Sequence, residues 1–391
     1  MVRRPEEFRE KQGIDVFLRH RVNRLDPKAK QIEVEDLEKG EKRSVGYDKL
    51  VLASGARSRR LGLPGEEAEN LFTLKDLEDA IRLKQYVYRR QPNRVGILGS
   101  GYIGLEMAEA FRLRGLETTV FYRGTHPVSH LEPEISEHVL KELEANGVRF
   151  LGEHKPVALT TEGEGEIVSI ETTKGQYPVD LVLTAFGVVP NVEIARDAGI
   201  RLGKTGAVWT DEGQRTDHPD IYAGGDCCEV HHQILEDSIF MPLGDVANKQ
   251  GRVAGENAAG GKATFDGVVG SQCFQVFSLE VAATGITERV AREKGMDIGI
   301  QKIEASSKVH YMPGAKPLLL KIVFERPSGR LLGGHMVGRE GVARRINTLA
   351  VAVQSRLTVQ ALSRMDFAYA PQFSAPFDPI LIAAEQALKK L

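Results

Sequence analysis

The sequence predicts an α/β fold: two related strand–turn–helix units in tandem, followed by a separate α+β domain. Three observations predict it. A run of strand, glycine turn, helix and strand occupies residues 94–124, RVGILGSGYIGLEMAEAFRLRGLETTVFYRG. Two segments echo each other, YDKLVLASGA (47–56) and VDLVLTAFGV (179–188), each an aspartate, an apolar run and a small-residue turn with glycine. From about residue 265 the pattern changes to strands and then two helices. At 391 residues the chain is also too long for one typical core, so two or three domains are expected.

Taken in order, residues 1–90 hold a helix-like start, strand-like IDVFLRH and KQIEVED, and the apolar strand of YDKLVLASGARSRRL running into its turn. The strand–glycine turn–helix unit follows. PEISEHVLKELEANGVRF reads as an amphipathic helix ending at Gly147, then a strand. Residues 155–185 have the spacing of a short β-meander, closed by VDLVLTAFGVVPN. DVANKQGRVAGENAAGG is a helix that ends in glycines. SQCFQVFSLEVAATG, PLLLKIVFER and RLLGGHMVG read as strands, and helices are expected around 342–355 and 378–390.

Composition excludes several classes. Hydrophobic residues at 41% and charged residues at 27% describe an ordinary soluble globular chain. A formal net charge of −2 gives no basic footprint for nucleic acid and no polybasic membrane patch. Three cysteines make no disulfide framework, so a reducing cytoplasm is the expected compartment. MVRRPEEFREKQG has no apolar core of a signal peptide, and no long uncharged apolar run spans a membrane.

Gly99, Gly101 and Gly104 form G-x-G-x-x-G directly after an apolar strand and directly before a helix, the context in which the pattern signals dinucleotide binding. The first glycine permits the tight turn, the second lets the backbone approach a pyrophosphate, and the third allows close helix–strand packing. The pyrophosphate would sit at the helix N-terminus, where free N–H groups and the dipole favour negative charge. The next strand usually ends in an acid that binds the ribose 2′-hydroxyl of NAD. Here Tyr122 and Arg123 stand in its place. No carboxylate repels a 2′-phosphate and Arg123 can pair with one, so the reading favours NADPH, unless Arg123 is merely solvated.

LGSGYIGLEMAEAFRLRGL, TAFGVVPN, TDHPDIYAGGDCCEV, PLGDVANKQGRVAGENAAGG and AYAPQFS together resemble the flavin-dependent pyridine nucleotide–disulfide oxidoreductases. The resemblance is closest to the branch of coenzyme A-disulfide reductases, NADH oxidases, NADH peroxidases and persulfide reductases, and it covers essentially the whole chain. It implies two Rossmann-like domains, the first N-terminally incomplete, plus a C-terminal α+β dimerisation domain. The implied divisions are 1–91 (partial FAD domain), 92–212 (NAD(P)H domain), 213–264 (second part of the FAD domain) and 265–391 (dimerisation domain).

The resemblance also assigns roles. Tyr102 matches the aromatic that gates the nicotinamide pocket, Ile103 and Glu106 match residues beside the nicotinamide, and Gly187 lies in the turn that closes on it. Asp226 matches the acid that hydrogen-bonds a flavin ribityl hydroxyl, with Gly225 before it; a turn-capping aspartate is the plainer reading. Leu243, Gly244 and Ala247 open a helix whose N-terminus would face the flavin pyrimidine, and Ser54 and Gly55 complete the cofactor set. In place of the C-terminal His–Glu pair of glutathione reductase-like members, this chain has FAYAPQFSAPFDP. Tyr369 matches a tyrosine that reaches the active-site sulfur from the partner subunit. Tyr311, in HYMPGA, lies near a second such position, where packing in a dimer interface is an equal reading. Met312 departs from the aromatic that often precedes the proline there.

Family members open with an FAD-binding strand, a glycine loop and a helix, followed by a redox cysteine beside the flavin. The opening RRPEEFREKQGIDVFLRH matches sequence well inside the usual family chain, so an N-terminally truncated form, with a sheet edge and apolar surface uncovered, is expected. Cys273 sits in an apolar alternating stretch and is expected to be buried. Cys227 and Cys228 are adjacent, with Cα atoms ~3.8 Å apart, below the usual disulfide range of about 4.4–6.8 Å, and are expected to be bystanders. DCCEVHH offers two Cys and two His, but neighbours on a strand point to opposite faces and the zinc-knuckle spacing is lacking, so no metal is expected.

The resemblance therefore implies an FAD-dependent NAD(P)H:disulfide oxidoreductase of coenzyme A-disulfide reductase type, a homodimer acting on a small disulfide or persulfide. Oxygen or peroxide as acceptor, or a non-catalytic NAD(P)H-binding dimer, are the alternatives.

Overall fold

A computed structural model describes residues 4–163 and 165–391. The chain divides into two compact units: residues 1–56, 190–231 and 238–267 form one, and 57–189, 232–237 and 268–391 form the other.

In the first unit, the strands His20–Asp26, Gln31–Asp36 and Lys42–Gly46 form an antiparallel sheet. Leu50–Leu52 pairs in parallel with Ile221–Ala223, and the helix Gly244–Ala258 packs on both. Among the described residues, Leu50–Leu52 has no second hydrogen-bonded strand, and Val51 is exposed. The core gathers Leu25, Val192, Ile200, Val208, Ile221, Ala223 and both adjacent cysteines. IDVFLRH does not form the expected strand: only His20 is paired, and Ile14, Val16, Phe17 and Leu18 are exposed. Among the described residues no strand lies beside residues 14–19, so their backbone has no ladder to join. Phe17 instead packs on His20 and under the Arg43 guanidinium.

The second unit begins with a five-stranded parallel sheet, in the order Leu71–Phe72, Leu181–Thr184, Arg94–Leu98, Glu117–Phe121 and Arg149–Leu151. The central strands Leu181–Thr184 and Arg94–Leu98 are near-continuously apolar, as strands buried on both faces must be. The segment 57–91 joins this unit, because Leu71–Phe72 takes the edge beside Leu181–Thr184. The meander is present as Pro156–Glu162, Glu166–Thr172 and Gly175–Pro178.

Behind the parallel sheet stands a five-stranded antiparallel sheet, in the order Gln272–Val276, Leu279–Gly285, Leu331–Gly338, Pro317–Glu325 and Ile298–Ser306. The last of these is a strand the sequence reading did not identify. One face carries Phe274, Val276, Val281, Leu319 and Val337 onto the helices Tyr102–Leu113 and Pro133–Ala145. The other receives the helices Val342–Gln354 and Pro379–Ala387. Cys273 is exposed, against expectation: alternation turns Phe274 and Val276 inward and leaves Cys273 and Gln275 outside. No helix among the described residues is long and apolar enough to cross a membrane.

Candidate functional site: two glycine turns at helix N-termini

In the second unit, each glycine of the loop meets a different steric demand. Gly99 has φ 117°, and a Cβ there would stand 2.4 Å from the Ala185 carbonyl oxygen. A Cβ on Gly104 would stand 2.5 Å from the Gly99 oxygen, so the helix closes directly onto the turn. At Gly101 a Cβ would meet nothing within 4 Å. Sterics inside the protein therefore demand the first and third glycines, while the second keeps a surface open. Gly101 is also the N-cap of Tyr102–Leu113 and supplies no side-chain cap, leaving first-turn amides available for a ligand. Ser100 Oγ is buried with no hydrogen-bond partner among the described residues. An open backbone cradle, uncapped amides and an orphaned hydroxyl fit a dinucleotide pyrophosphate.

Around this loop the structure gathers most of the expected NAD(P)H residues. Ala185, whose N–H donates to Leu98 O at 2.8 Å, leads to Gly187, which has φ 80°. Tyr102 and Ile103 are half-buried at the helix start. Glu106 has its carboxyl raised above the ordinary carboxylate range by desolvation, against a backbone hydrogen bond from Gln275. At the end of Glu117–Phe121, the Tyr122 hydroxyl lies 2.5 Å from Ser129 Oγ. Arg123 is exposed and enters no ion pair among the described residues.

The first unit holds a second ligand-ready turn. Ile221–Ala223 runs into Gly224, Gly225 (φ 85°) and half-buried Asp226. The helix Gly244–Ala258 begins beside it: Leu243 is an N-cap without a side-chain bond, and a Cβ on Gly244 would meet nothing. A Cβ on Gly225 would lie 3.7 Å from the Ala247 Cβ. Ser54 and Gly55 (φ 66°) follow the parallel partner strand Leu50–Leu52. Open glycines and uncapped amides fit an anionic or polyol-bearing ligand here as well.

Two residues that hold this turn escaped the sequence reading. Gln250, fully buried, accepts from Gly225 N at 3.0 Å and donates to Glu229 O at 3.1 Å. Asn191 donates to Ser54 O at 2.9 Å and accepts from Ser54 Oγ, through its backbone oxygen, at 2.6 Å. Both lie inside quoted motifs, but neither residue type announces whom it clamps.

Tyr311 and Tyr369 are exposed, in the loops before Pro317–Glu325 and before Pro379–Ala387. Arg345, also missed, ties those loops together. Its guanidinium donates to Ser307 O at 2.7 Å, Phe373 O at 3.4 Å and Asp378 Oδ2 at 2.8 Å. No group of His, Cys, Asp or Glu among the described residues is arranged to hold a metal.

Comparison with known proteins gives a consistent result. A family model described as "Pyridine nucleotide-disulphide oxidoreductase" matches residues 2–251, and that family's "dimerisation domain" matches 271–378. The chain is 36% identical to an "NAD(P)H sulfur oxidoreductase (CoA-dependent)" of Pyrococcus abyssi, over 97% of this chain and 84% of the relative. It is 34% identical to an "NADH oxidase" of Methanocaldococcus jannaschii, over 99% and 86%. A solved NAD-dependent persulfide reductase from A. fulgidus superposes with a TM-score of 0.95 at 34% identity, covering all of this chain (100%) and 72% of that one.

Proposed function

Since the chain belongs to the pyridine nucleotide-disulphide oxidoreductase family, whose members are flavin-dependent NAD(P)H oxidoreductases, we propose that it reduces a small disulfide or persulfide, in the manner of a coenzyme A-disulfide reductase. The carrying observation is the pair of open glycine turns, each leading into an uncapped helix N-terminus, at Gly101 and Gly244.

FAD, when bound, supplies two-electron chemistry between nicotinamide and acceptor. Gly99, Gly101 and Gly104 seat the NAD(P)H pyrophosphate. Tyr102, Ile103, Glu106 and Gly187 line the nicotinamide end. Arg123, with no carboxylate on the neighbouring strand end, pairs with a 2′-phosphate and favours NADPH. Asp226 accepts from a flavin ribityl hydroxyl, and the amides of the Gly244 helix stabilise negative charge on the flavin ring. Tyr369 and Tyr311 hydrogen-bond the leaving thiolate in a homodimer, consistent with the dimerisation-domain match. The divisions at 91/92, 212/213 and 264/265 remain the proposed functional domains, and the cytoplasm the proposed compartment. Oxygen as acceptor is the second reading, favoured by the similarity to an NADH oxidase.

The test is turnover of the purified, FAD-supplemented protein with NADPH or NADH against coenzyme A disulfide, a persulfide, oxygen and peroxide. Thiol release stoichiometric with NAD(P)H loss is expected. NAD(P)H loss matched by oxygen uptake without thiol release would select the second reading, and no flavin binding with no NAD(P)H oxidation overturns both.

A further inference from the structure

The two adjacent cysteines do not point to opposite faces. They lie in a turn closed by Cys228 N donating to Gly225 O at 2.9 Å, not in a strand, and their Sγ atoms are 3.7 Å apart. Both residues are buried, at 0% and 4% exposure. We propose that Cys227 and Cys228 form a redox-active vicinal dithiol, closed by a hydroperoxide into a reversible disulfide.

Position and surroundings support this. The Cys227 thiol donates toward Gly224 O at 3.4 Å and Leu52 O at 3.7 Å. The shared hydrogen bond with Cys228 brings the Cys227 thiol down to about 6, against desolvation and with help from Ser54, while Cys228 is pushed up. Cys227, the lowered thiol, is the proposed nucleophile, and Cys228 the proposed resolving thiol.

The Cys227 thiolate attacks a peroxide oxygen, the O–O bond breaks, and an alcohol (or water) leaves with one proton. Cys227 becomes a sulfenic acid. The Cys228 sulfur then attacks it, the S–S bond forms, and the hydroxyl leaves as water with the Cys228 proton. Two thiols and ROOH give one disulfide, ROH and H2O, the sulfurs losing two electrons. Bridging Cα atoms ~3.8 Å apart, below the usual range of about 4.4–6.8 Å, strains the product, which makes it readily reducible by a dithiol. Closing the bridge also pulls Cys227 off Gly224 and Leu52 and disturbs the turn that carries Asp226. That consequence for flavin rests on the proposed function, whereas the bridge itself does not.

The test uses the 391-residue chain carrying Cys273→Ser, which leaves only this pair of thiols. After hydroperoxide, denaturing alkylation is expected to find neither thiol free, and the fragment spanning 227–228 is expected to have lost two hydrogens. Dithiothreitol should restore both thiols. In Cys228→Ala on the same background, Cys227 should instead be trapped as a sulfenic acid by dimedone. Thiols that remain fully alkylatable, a sulfinic acid without the internal bond, or disulfides only between chains each overturn the proposal. Retention of flavin, read separately by its fluorescence, bears only on the role of Asp226.

Discussion

Lys321 Nζ lies 2.7 Å from Glu132 Oε2, and both side chains are almost wholly buried. The same ammonium reaches Glu288 at 2.8 Å and Glu134 at 3.3 Å, and Glu132 also accepts from Glu288 N at 2.7 Å. This network fastens the N-terminus of the helix Pro133–Ala145, behind the nucleotide loop, to the antiparallel sheet. Glu142 with Arg339, and Glu109 with Phe277 N, add two more clasps between the same layers. Removing one partner of a buried ion pair leaves an uncompensated charge, at a cost of about 3–5 kcal/mol. Lys321→Met should lose about that much in urea unfolding, and Lys321→Met with Glu132→Gln should recover part of it. A loss under about 1 kcal/mol would show that the network is relaxed by water.

The network also sets a pH dependence. Glu288 is lowered, chiefly by Lys321, and Glu134 is lowered because hydrogen bonds and Lys321 outweigh its desolvation. Their contribution is complete above the unfolded carboxylate range, about 4.3, and is lost as pH falls through the depressed folded values. Burial opposes the charge on Lys321, but its bonds to Glu132 and Glu288 raise it overall. Its contribution is complete below about 10.4 and is lost as pH rises through the raised value. Desolvation of the fully buried His335 ring lowers it and favours its neutral form. The melting-temperature gap between wild type and Lys321→Met should therefore narrow on going from pH ~7 to below pH ~4. A gap that widens with acid contradicts the assignment.

The loop glycines separate folding from binding. Gly101→Ala adds a methyl where nothing lies within 4 Å and φ is −76°. It should melt within about 1 kcal/mol of wild type yet raise the KM for NAD(P)H about tenfold or more, because the methyl occupies the pyrophosphate cradle. Gly104→Ala, whose Cβ would stand 2.5 Å from Gly99 O, should lose stability and binding together. Equal behaviour of the two variants in both assays would remove the distinction.

Much of this was legible because it rests on single-residue constraints. A strand followed by G-x-G-x-x-G demands one backbone shape, and alternating or near-continuous apolar runs give the sheets. What was not legible depends on who meets whom. Gln250, Asn191, Lys321 and Arg345 are ordinary polar residues until the fold sets a carbonyl or carboxylate beside them. Cys273 looked buried and IDVFLRH looked like a strand because of their apolar neighbours, but alternation turns Cys273 outside and IDVFLRH meets no partner strand among the described residues. Cys227 and Cys228 were read as strand neighbours, and the turn at Gly225 turned their sulfurs together.

Arg123 is the residue proposed to set the coenzyme preference. Exposed and without an ion pair among the described residues, it is available to a 2′-phosphate. Arg123→Ala should raise the KM for NADPH about tenfold, the value of one charge-assisted contact, and leave NADH within about twofold. The change should shrink at high salt, since the site is solvent-facing. Parallel changes for both coenzymes would show that Arg123 shapes the adenosine pocket without reading the phosphate.

Arg345 joins the two tyrosine loops, and its loss should separate steps before and after the flavin. With side-chain exposure of 12% for Arg345 and 11% for Asp378, the pair is largely shielded from water, and the guanidinium is the shared donor for Ser307 O and Phe373 O. Arg345→Met should cost about 3 kcal/mol in stability and free both loops. If Tyr311 and Tyr369 act on the substrate sulfur, kcat with the disulfide should fall about tenfold or more, as expected for loss of a positioned proton donor. NAD(P)H turnover with ferricyanide, which draws electrons without those tyrosines, should stay within about twofold, because the nucleotide loop is untouched. Arg345→Lys should not restore the disulfide rate: an ammonium cannot reproduce the planar fork that meets a carboxylate and two carbonyls at once. Equal loss of both turnovers would reduce Arg345 to a general stabiliser and detach the tyrosines from the chemistry.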